Sequence, residues 1–307
     1  MIEAENLQRF LVQLSHDIHA RNDWGLVADY IPELAKVNPA QFGVSVVLAD
    51  GRQLNAGSSG VPFSIQSVSK VFTLACVLGR TGEQIWTRVG REPSGTRFDS
   101  ILLLEQERGR PRNPLINAGA LVTTDALLDG RQPLEAVAEV LGFLRAAAED
   151  EDIRIDPAVA ESERRSGYRN VALANYLKSY GNLTNPPELT LRCYFHQCAI
   201  EMTAEQLARA GRPIAQLPYA PRILSPHQAR RLNALMITCG HYDGSGDFAF
   251  RVGLPGKSGV GGAILVIAPG RASIAVWSPG LNIYGNSLMG TYAAERIARE
   301  TGWSVFG

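Results

Sequence analysis

Lysine is scarce in this chain. Of the 30 Lys and Arg residues among 307, only Lys36, Lys70, Lys178 and Lys257 are lysines, so arginine carries most of the positive charge. Cysteine is scarce as well. Cys76, Cys193, Cys198 and Cys239 lack the paired short spacing of a zinc site, and the step from Cys193 to Cys198 is wider than C-x-x-C, so reduced and mostly buried thiols are expected. There is no charge of one sign in excess: 30 acidic residues balance 30 basic ones, which removes the reason to expect a nucleic-acid partner. No run approaches the roughly 18 apolar residues of a membrane span. The first residues hold Glu3 and Glu5 in place of the basic start of a signal peptide, so a cytoplasmic protein without a membrane anchor is expected. The histidines His196, His227 and His241 have no H-E-x-x-H spacing and read as structural or surface groups; neither a metal nor an organic cofactor is expected.

What is present is ordinary globular material, 45% hydrophobic and 20% charged, which excludes disorder as the main state and allows one large domain or two modest ones. Leu7, Phe10, Leu11, Leu14 and Ile18 recur at helical spacing and predict an amphipathic first helix. Residues 42–49 and 52–57 read as strands joined by a tight turn at Asp50-Gly51, and 61–65 as a further extended segment. The pattern then turns helical over 69–78, which places Ser67 at or near a helix start. Helical patterns follow at 100–107, 118–128, 134–148, 171–180, 203–209 and 226–239, with no equally clear strand between about 80 and 230. Extended character returns at 262–268 and 272–278 around a turn at Pro269-Gly270, and 289–302 closes as a helix. The expectation is an α/β (α+β) fold whose antiparallel sheet, flanked by helices, is made from both ends of the chain. Residues 1–66 and 240–307 form a sheet-containing lobe, residues 67–239 a mainly helical one, within a single domain. The site belongs where the lobes meet.

Ser67-Val68-Ser69-Lys70 is an S-x-x-K element, and residues three apart on a helix share a face, so the serine hydroxyl can meet the amine. A lysine deprotonates a serine only when it is substantially neutral, a state that burial or a nearby cation produces. Backbone N–H groups at the helix start can stabilise negative charge beside Ser67. The bland alternative is a capping serine and a solvated lysine. Downstream, Lys257-Ser258-Gly259 opens an extended segment and leads into Val260-Gly261-Gly262. It matches the K-T/S-G element of serine enzymes that recognise penicillin, where it supplies a cation and a strand edge with N–H donors. Its alternative is a glycine-rich turn feeding a strand. The two elements in this order favour the serine–lysine reading.

Longer stretches carry a family likeness. These are residues 29–34 (DYIPEL), 63–71 (FSIQSVSKV), 111–114 (PRNP) with 116–120 (INAGA), Ser162-Glu163 with Arg169-Asn170, Tyr194-Phe195-His196, and 251–255 (RVGLP) running into 257–262 (KSGVGG). Together they span almost the whole chain, which resembles the bacterial serine-dependent glutaminases, a family with the β-lactamase/penicillin-binding-protein fold that hydrolyses L-glutamine to L-glutamate and ammonia. The resemblance implies that Ser67 is the nucleophile and Lys70 its activator. It implies that Tyr30, Asn117, Glu163, Asn170, Tyr194, Tyr242 and the backbone of Val260 line the substrate pocket, with Lys257, Ser258 and Gly259 in support. It also implies a homotetramer.

The chemistry of glutamine fits these residue types. Its ammonium calls for a carboxylate such as Glu163 and its carboxylate for neutral donors such as Asn117, Asn170 or a tyrosine. Tyr242 is the preferred group to hand a proton to departing ammonia once a neighbouring cation lowers its pKa. The N–H groups of Ser67 and Val260 are the natural oxyanion donors. Three rivals stay open: a β-lactamase or D-alanyl peptidase, an amidase acting on asparagine, and a silent binding protein on the same scaffold.

Overall fold

The computed structural model describes residues 3–95 and 97–307. β-Branched residues at 44, 46 and 47 favour an extended chain, and β1 (Gly43–Leu48) turns through Asp50 and Gly51 into β2 (Gln53–Gly57). Gly51 takes φ +89°, open to glycine at no steric cost, and Asp50 Oδ1 accepts the Arg52 N–H at 3.0 Å. Next come three short strands, β3 (Phe63–Ser64), β4 (Arg154–Ile155) and β5 (Ile200–Met202), and then β6 (Gly256–Ser258), β7 (Ala263–Ala268) and β8 (Ala272–Trp277). The main sheet has the order β2-β1-β8-β7-β6 and is antiparallel at every pairing, with strands drawn from both ends of the chain.

Both faces of this sheet are covered, which explains why 263–268 reads as an unbroken apolar run without alternation. Ile264, Val266, Ile274 and Val276 point to one side, against Leu7, Leu11, Leu14 and Ile18 of the Ala4–His19 helix and Ile297 of the Leu288–Thr301 helix. Each such side chain withdrawn from water contributes roughly 1.5–3 kcal/mol. Leu265, Ile267 and Ala275 point to the other side and join one continuous core with Leu207, Ile214 and the helices of residues 69–239. The Ser69–Thr81 helix runs through that core with every residue from Ser69 to Leu78 buried.

Two expectations need correction. Strands do interrupt the helical middle: β4 and β5 join β3 in a second sheet of order β3-β5-β4. Strands of two or three residues have too few positions for a period to show. The helices Pro157–Ser166 and Pro187–Cys198 escaped the pattern, although the first carries a readable start, Asp156 accepting N–H bonds from Ala158 and Val159 ahead of Pro157. A smaller difference concerns Lys257-Ser258, which closes the edge strand β6, while Gly259–Gly262 forms the turn into β7.

Candidate active site

The chain enters the site from β3. Phe63 and Ser64 pair with β5, and the Ile65 N–H reaches the Ile200 carbonyl at 2.8 Å. Gln66 then takes φ +48°, a left-handed conformation unfavourable for a non-glycine residue, and swings Ser67 into a 3₁₀ turn (Gln66–Val68) that runs straight into the Ser69–Thr81 helix. The turn is locked by Ser69 Oγ donating to the Gln66 carbonyl at 2.7 Å. From the other side the Gly259–Gly262 turn presses on the same backbone. A Cβ at Gly259 would lie 2.6 Å from the Ile65 carbonyl oxygen and 3.3 Å from the Ser67 nitrogen, and one at Gly261 2.5 Å from the Ser64 oxygen. Only glycine allows this approach, which brings Val260 beside Ser67.

A cavity of about 410 Å³ opens there, within the range of small-molecule sites. Ser67, Tyr30, Asn117, Glu163, Asn170, Tyr194 and Val260 all border it. Lys70, Tyr242, Lys257, Ser258 and Gly259 stand behind its wall. Gln66, Phe98, Asp99 and Cys198 also line it, and pattern reading passed over them. Signals for two were available: Gln66 adjoins Ser67, and Cys198 lies one helical turn beyond Tyr194.

Lys70, 1% exposed, donates from Nζ to Asn117 Oδ1 at 2.6 Å and to the Leu115 carbonyl at 3.5 Å. Asn117 Nδ2 in turn donates to Asn170 Oδ1 at 2.9 Å. Burial holds the Lys70 amine down to about 8, with Cys198, Glu163 and Asp99 acting the other way. Across the cavity Glu163 is 5% exposed, and burial lifts its carboxyl to about 7 against the opposing pull of Gln66 and Lys70. Its Oε1 has no hydrogen-bond partner. A buried, half-satisfied carboxyl aimed at a cavity is the chemistry of a cation receiver. Its helix is tied to the Tyr30 segment by the Glu33 N–H, which reaches Ser162 Oγ at 3.3 Å. Tyr30 is 52% exposed overall, yet burial of its phenol, together with Tyr242, Glu163 and Asp99, raises its pKa well above the ordinary range. Tyr194 is raised likewise by burial.

Behind the wall the arrangement departs from expectation. Tyr242, at φ +58°, donates its hydroxyl to the Ser258 carbonyl at 3.2 Å and also engages the Ser67 side chain. Lys257 Nζ sits 4.3 Å from the centre of the Tyr242 ring, but no cation lowers the phenol, which burial raises well above its usual value. The reason lies in Lys257 itself. It is fully buried, donates to the carbonyls of Gly240 (3.1 Å) and Ser258, and burial together with Lys70 pushes its pKa far down, favouring the neutral amine. Of the histidines, His241 is buried against Phe248 with rings 3.5 Å apart, and burial beside Lys257 keeps it neutral.

Among the described residues no group of three or more His, Cys, Asp or Glu is gathered so as to hold a metal ion, and no helix is long and apolar enough to cross a membrane.

The model of the glutaminase family matches residues 25–306. The glutaminase of Methylobacterium radiotolerans is 58% identical over 98% of this chain and 99% of its own length, and that of Agrobacterium fabrum 60% over 92% and 93%. Among solved structures, the probable glutaminase ybaS superposes with a TM-score of 0.94 at 35% identity, covering 99% of both chains. A probable glutaminase from Bacillus subtilis complexed with 6-diazo-5-oxo-L-norleucine does so at 0.89 and 33%, covering 100% of this chain and 99% of that one. The antiparallel sheet flanked by helices is thus the β-lactamase-like fold that the motifs implied. With a family match over nearly the whole length and curated relatives of nearly equal length, the chain belongs to the glutaminase family.

Proposed function

We propose that the chain performs the reaction of its family, hydrolysis of L-glutamine to L-glutamate and ammonia, by way of a γ-glutamyl ester on Ser67. The observation that carries this reading is a serine on a cavity wall with a fully buried lysine one turn along its helix, held down to about 8, where a useful fraction is neutral near physiological pH. Lys70, directly or through Tyr242, takes the Ser67 proton as Oγ attacks the side-chain amide carbon. The oxyanion settles between the N–H groups of Ser67 and Val260, whose closeness the glycine at 259 permits. On collapse the C–N bond breaks, nitrogen receives the stored proton and leaves as ammonia, and the acyl group stays on Ser67. Water then attacks the ester along the reverse proton path, releases glutamate and restores the hydroxyl. Tyr242 holds its proton too tightly to serve as a phenolate, so where it takes part it accepts the Ser67 proton only as it releases its own to Lys70; at rest that proton lies on the Ser258 carbonyl.

The substrate ammonium is received at Glu163 Oε1, and its carboxylate by Tyr30 and by the Asn170 amide, which Asn117 holds in place. With both ends of its own amide engaged, Asn117 orients Lys70 and Asn170 more than it binds substrate. The sheet lobe of residues 1–66 and 240–307 and the helical lobe of residues 67–239 are read as two parts of one domain with this site at their junction. Four unpaired, buried thiols suit a reducing cytoplasm, and a homotetramer is the assembly that family membership suggests. Ammonia release from glutamine, asparagine and a chromogenic β-lactam, with Ser67→Ala as control, tests the reading. Glutamine should be preferred and the variant should lose turnover while still binding glutamine. Near-normal turnover in Ser67→Ala overturns the serine mechanism, and preference for either other compound overturns the substrate.

A further inference from the structure

The segment Pro111-Arg112-Asn113-Pro114 has no part in the cycle above, yet Asn113 is 1% exposed and uses both ends of its amide. Its Oδ1 accepts the N–H groups of Leu115 (3.0 Å) and Ile116 (3.1 Å), a side-chain turn that fixes the direction of the next peptide groups. Its Nδ2 donates to the Glu92 carbonyl at 2.9 Å. The anchoring strand of chain is itself pinned, with the Gly90 N–H on the Pro111 carbonyl at 2.7 Å and the Glu92 N–H on that of Arg112 at 2.9 Å. On the opposite side the Asn117–Leu128 helix lies directly on the Asn113 carbonyl, for a Cβ at Gly119 would come within 1.8 Å of that oxygen. The two acceptors of Lys70 Nζ, the Leu115 carbonyl and Asn117 Oδ1, lie two and four residues beyond Asn113.

We propose that Asn113 is a positioning residue for Lys70: by clamping residues 113–116 between the Glu92 carbonyl and the Asn117–Leu128 helix, it aims both acceptors at the Lys70 amine. The inference rests on the reading of Lys70 as the base. A buried ammonium exists only as far as acceptors and charges around it compensate for lost water. The groups facing Lys70 from other elements are Glu163, Asp99, Cys198, Tyr194 and Lys257. None of them fixes the Leu115 and Ile116 peptides, which Asn113 does; Asn117, the next residue, is held further by the Phe98 carbonyl on its N–H (2.9 Å) and by Asn170 Oδ1 on its amide (2.9 Å).

The experiment is the pH dependence of kcat/KM for Asn113→Ala and Asn113→Asp beside the wild type, with thermal melting to confirm that each is folded. The wild-type acid limb should fall near 8, where Lys70 loses its proton. In Asn113→Ala the acceptors loosen, so the limb moves to lower pH and kcat falls about tenfold with KM within about threefold. In Asn113→Asp one carboxyl oxygen recovers the two N–H bonds and the other, placed against the Glu92 carbonyl that Nδ2 met at 2.9 Å, keeps its proton and donates to it, so kcat returns to within about threefold of wild type and the limb returns with it. A folded Asn113→Ala with wild-type kcat and limb overturns the proposal. So does an Asn113→Asp variant that keeps the kcat and limb of the alanine variant; where the alanine variant does not fold, Asn113→Ser, whose shorter side chain gives up the Glu92 carbonyl, takes its place, and a wild-type kcat and limb in it overturns the proposal. Failure of the underlying reading is distinguishable, because it would appear as near-wild-type turnover in Lys70→Ala.

Discussion

Glu163→Gln should weaken substrate capture and stabilise the empty protein at the same time. The carboxyl is buried, its Oε1 has no partner, and burial lifts it from an ordinary 4.5 to about 7. That rise corresponds to roughly 3 kcal/mol of ionisation cost borne by the folded state once both states are ionised. The sign follows from the direction. Between about 4.5 and 7 the folded protein holds a proton that the unfolded chain has released, so stability declines as pH rises through this window. The penalty is fully present above 7 and absent below 4.5. Glutamine at 163 removes it, so the variant should melt a few degrees higher at pH 8 and show no such gain near pH 4. Binding moves the opposite way. An ammonium about 4 Å from a carboxylate gains about 4 kcal/mol at an effective dielectric near 20. Removing one partner of a buried charge pair typically costs about 2–5 kcal/mol. A loss of roughly 30- to 1,000-fold in kcat/KM at pH 8 is therefore expected, most of it in KM. Steady-state ammonia release and thermal melts on the same preparations read both effects. A folded variant with kcat/KM within threefold of wild type would show that the ammonium is received elsewhere. One that melts lower at pH 8 would show that Glu163 is paired in the empty site and not a charge waiting for its partner.

Gly259→Ala places a Cβ 2.6 Å from the Ile65 oxygen and 3.3 Å from the Ser67 nitrogen, at a position whose backbone strain is otherwise small. Displacing one oxyanion donor should lower kcat about 100- to 1,000-fold with little change in KM, and an unaltered kcat would separate the glycine turn from catalysis. In the helical core, Asp125 is fully buried and accepts from Arg88 (2.5 Å), from the Thr184 N–H and hydroxyl (3.0 and 2.8 Å) and from the Asn185 N–H and amide (both 2.9 Å). Asp125→Ala should cost about 3–5 kcal/mol in denaturant unfolding. Because the hydrogen bonds hold its pKa below 3.8, that stabilisation is present above 3.8 and disappears as pH falls through the folded value; a loss under 1 kcal/mol at pH 7 would refute it.

How legible these features were depends on how many residues a feature needs to announce itself. The main sheet was readable because β1, β2, β7 and β8 are five or six residues long, with Asp50-Gly51 and Pro269-Gly270 marking their turns. The S-x-x-K pair was readable because a spacing of three on a helix is a geometric statement in itself. The Glu163 environment was not, since it depends on the Pro157–Ser166 helix and on β5, a strand of three residues that holds β3 and hence Ser67 in place. Still less legible was the state of charge. Lys70 and Lys257 are both buried lysines, one in the first turn of the Ser69–Thr81 helix and the other in β6, and composition marked them equally. Three dimensions separate them. Lys257 donates to the carbonyls of Gly240 and Ser258, whereas Lys70 donates to a side-chain amide that borders the cavity. A motif thus states which groups are assembled; the acceptors that each lysine meets, Leu115 and Asn117 for Lys70 and Gly240 and Ser258 for Lys257, are set by the three-dimensional fold.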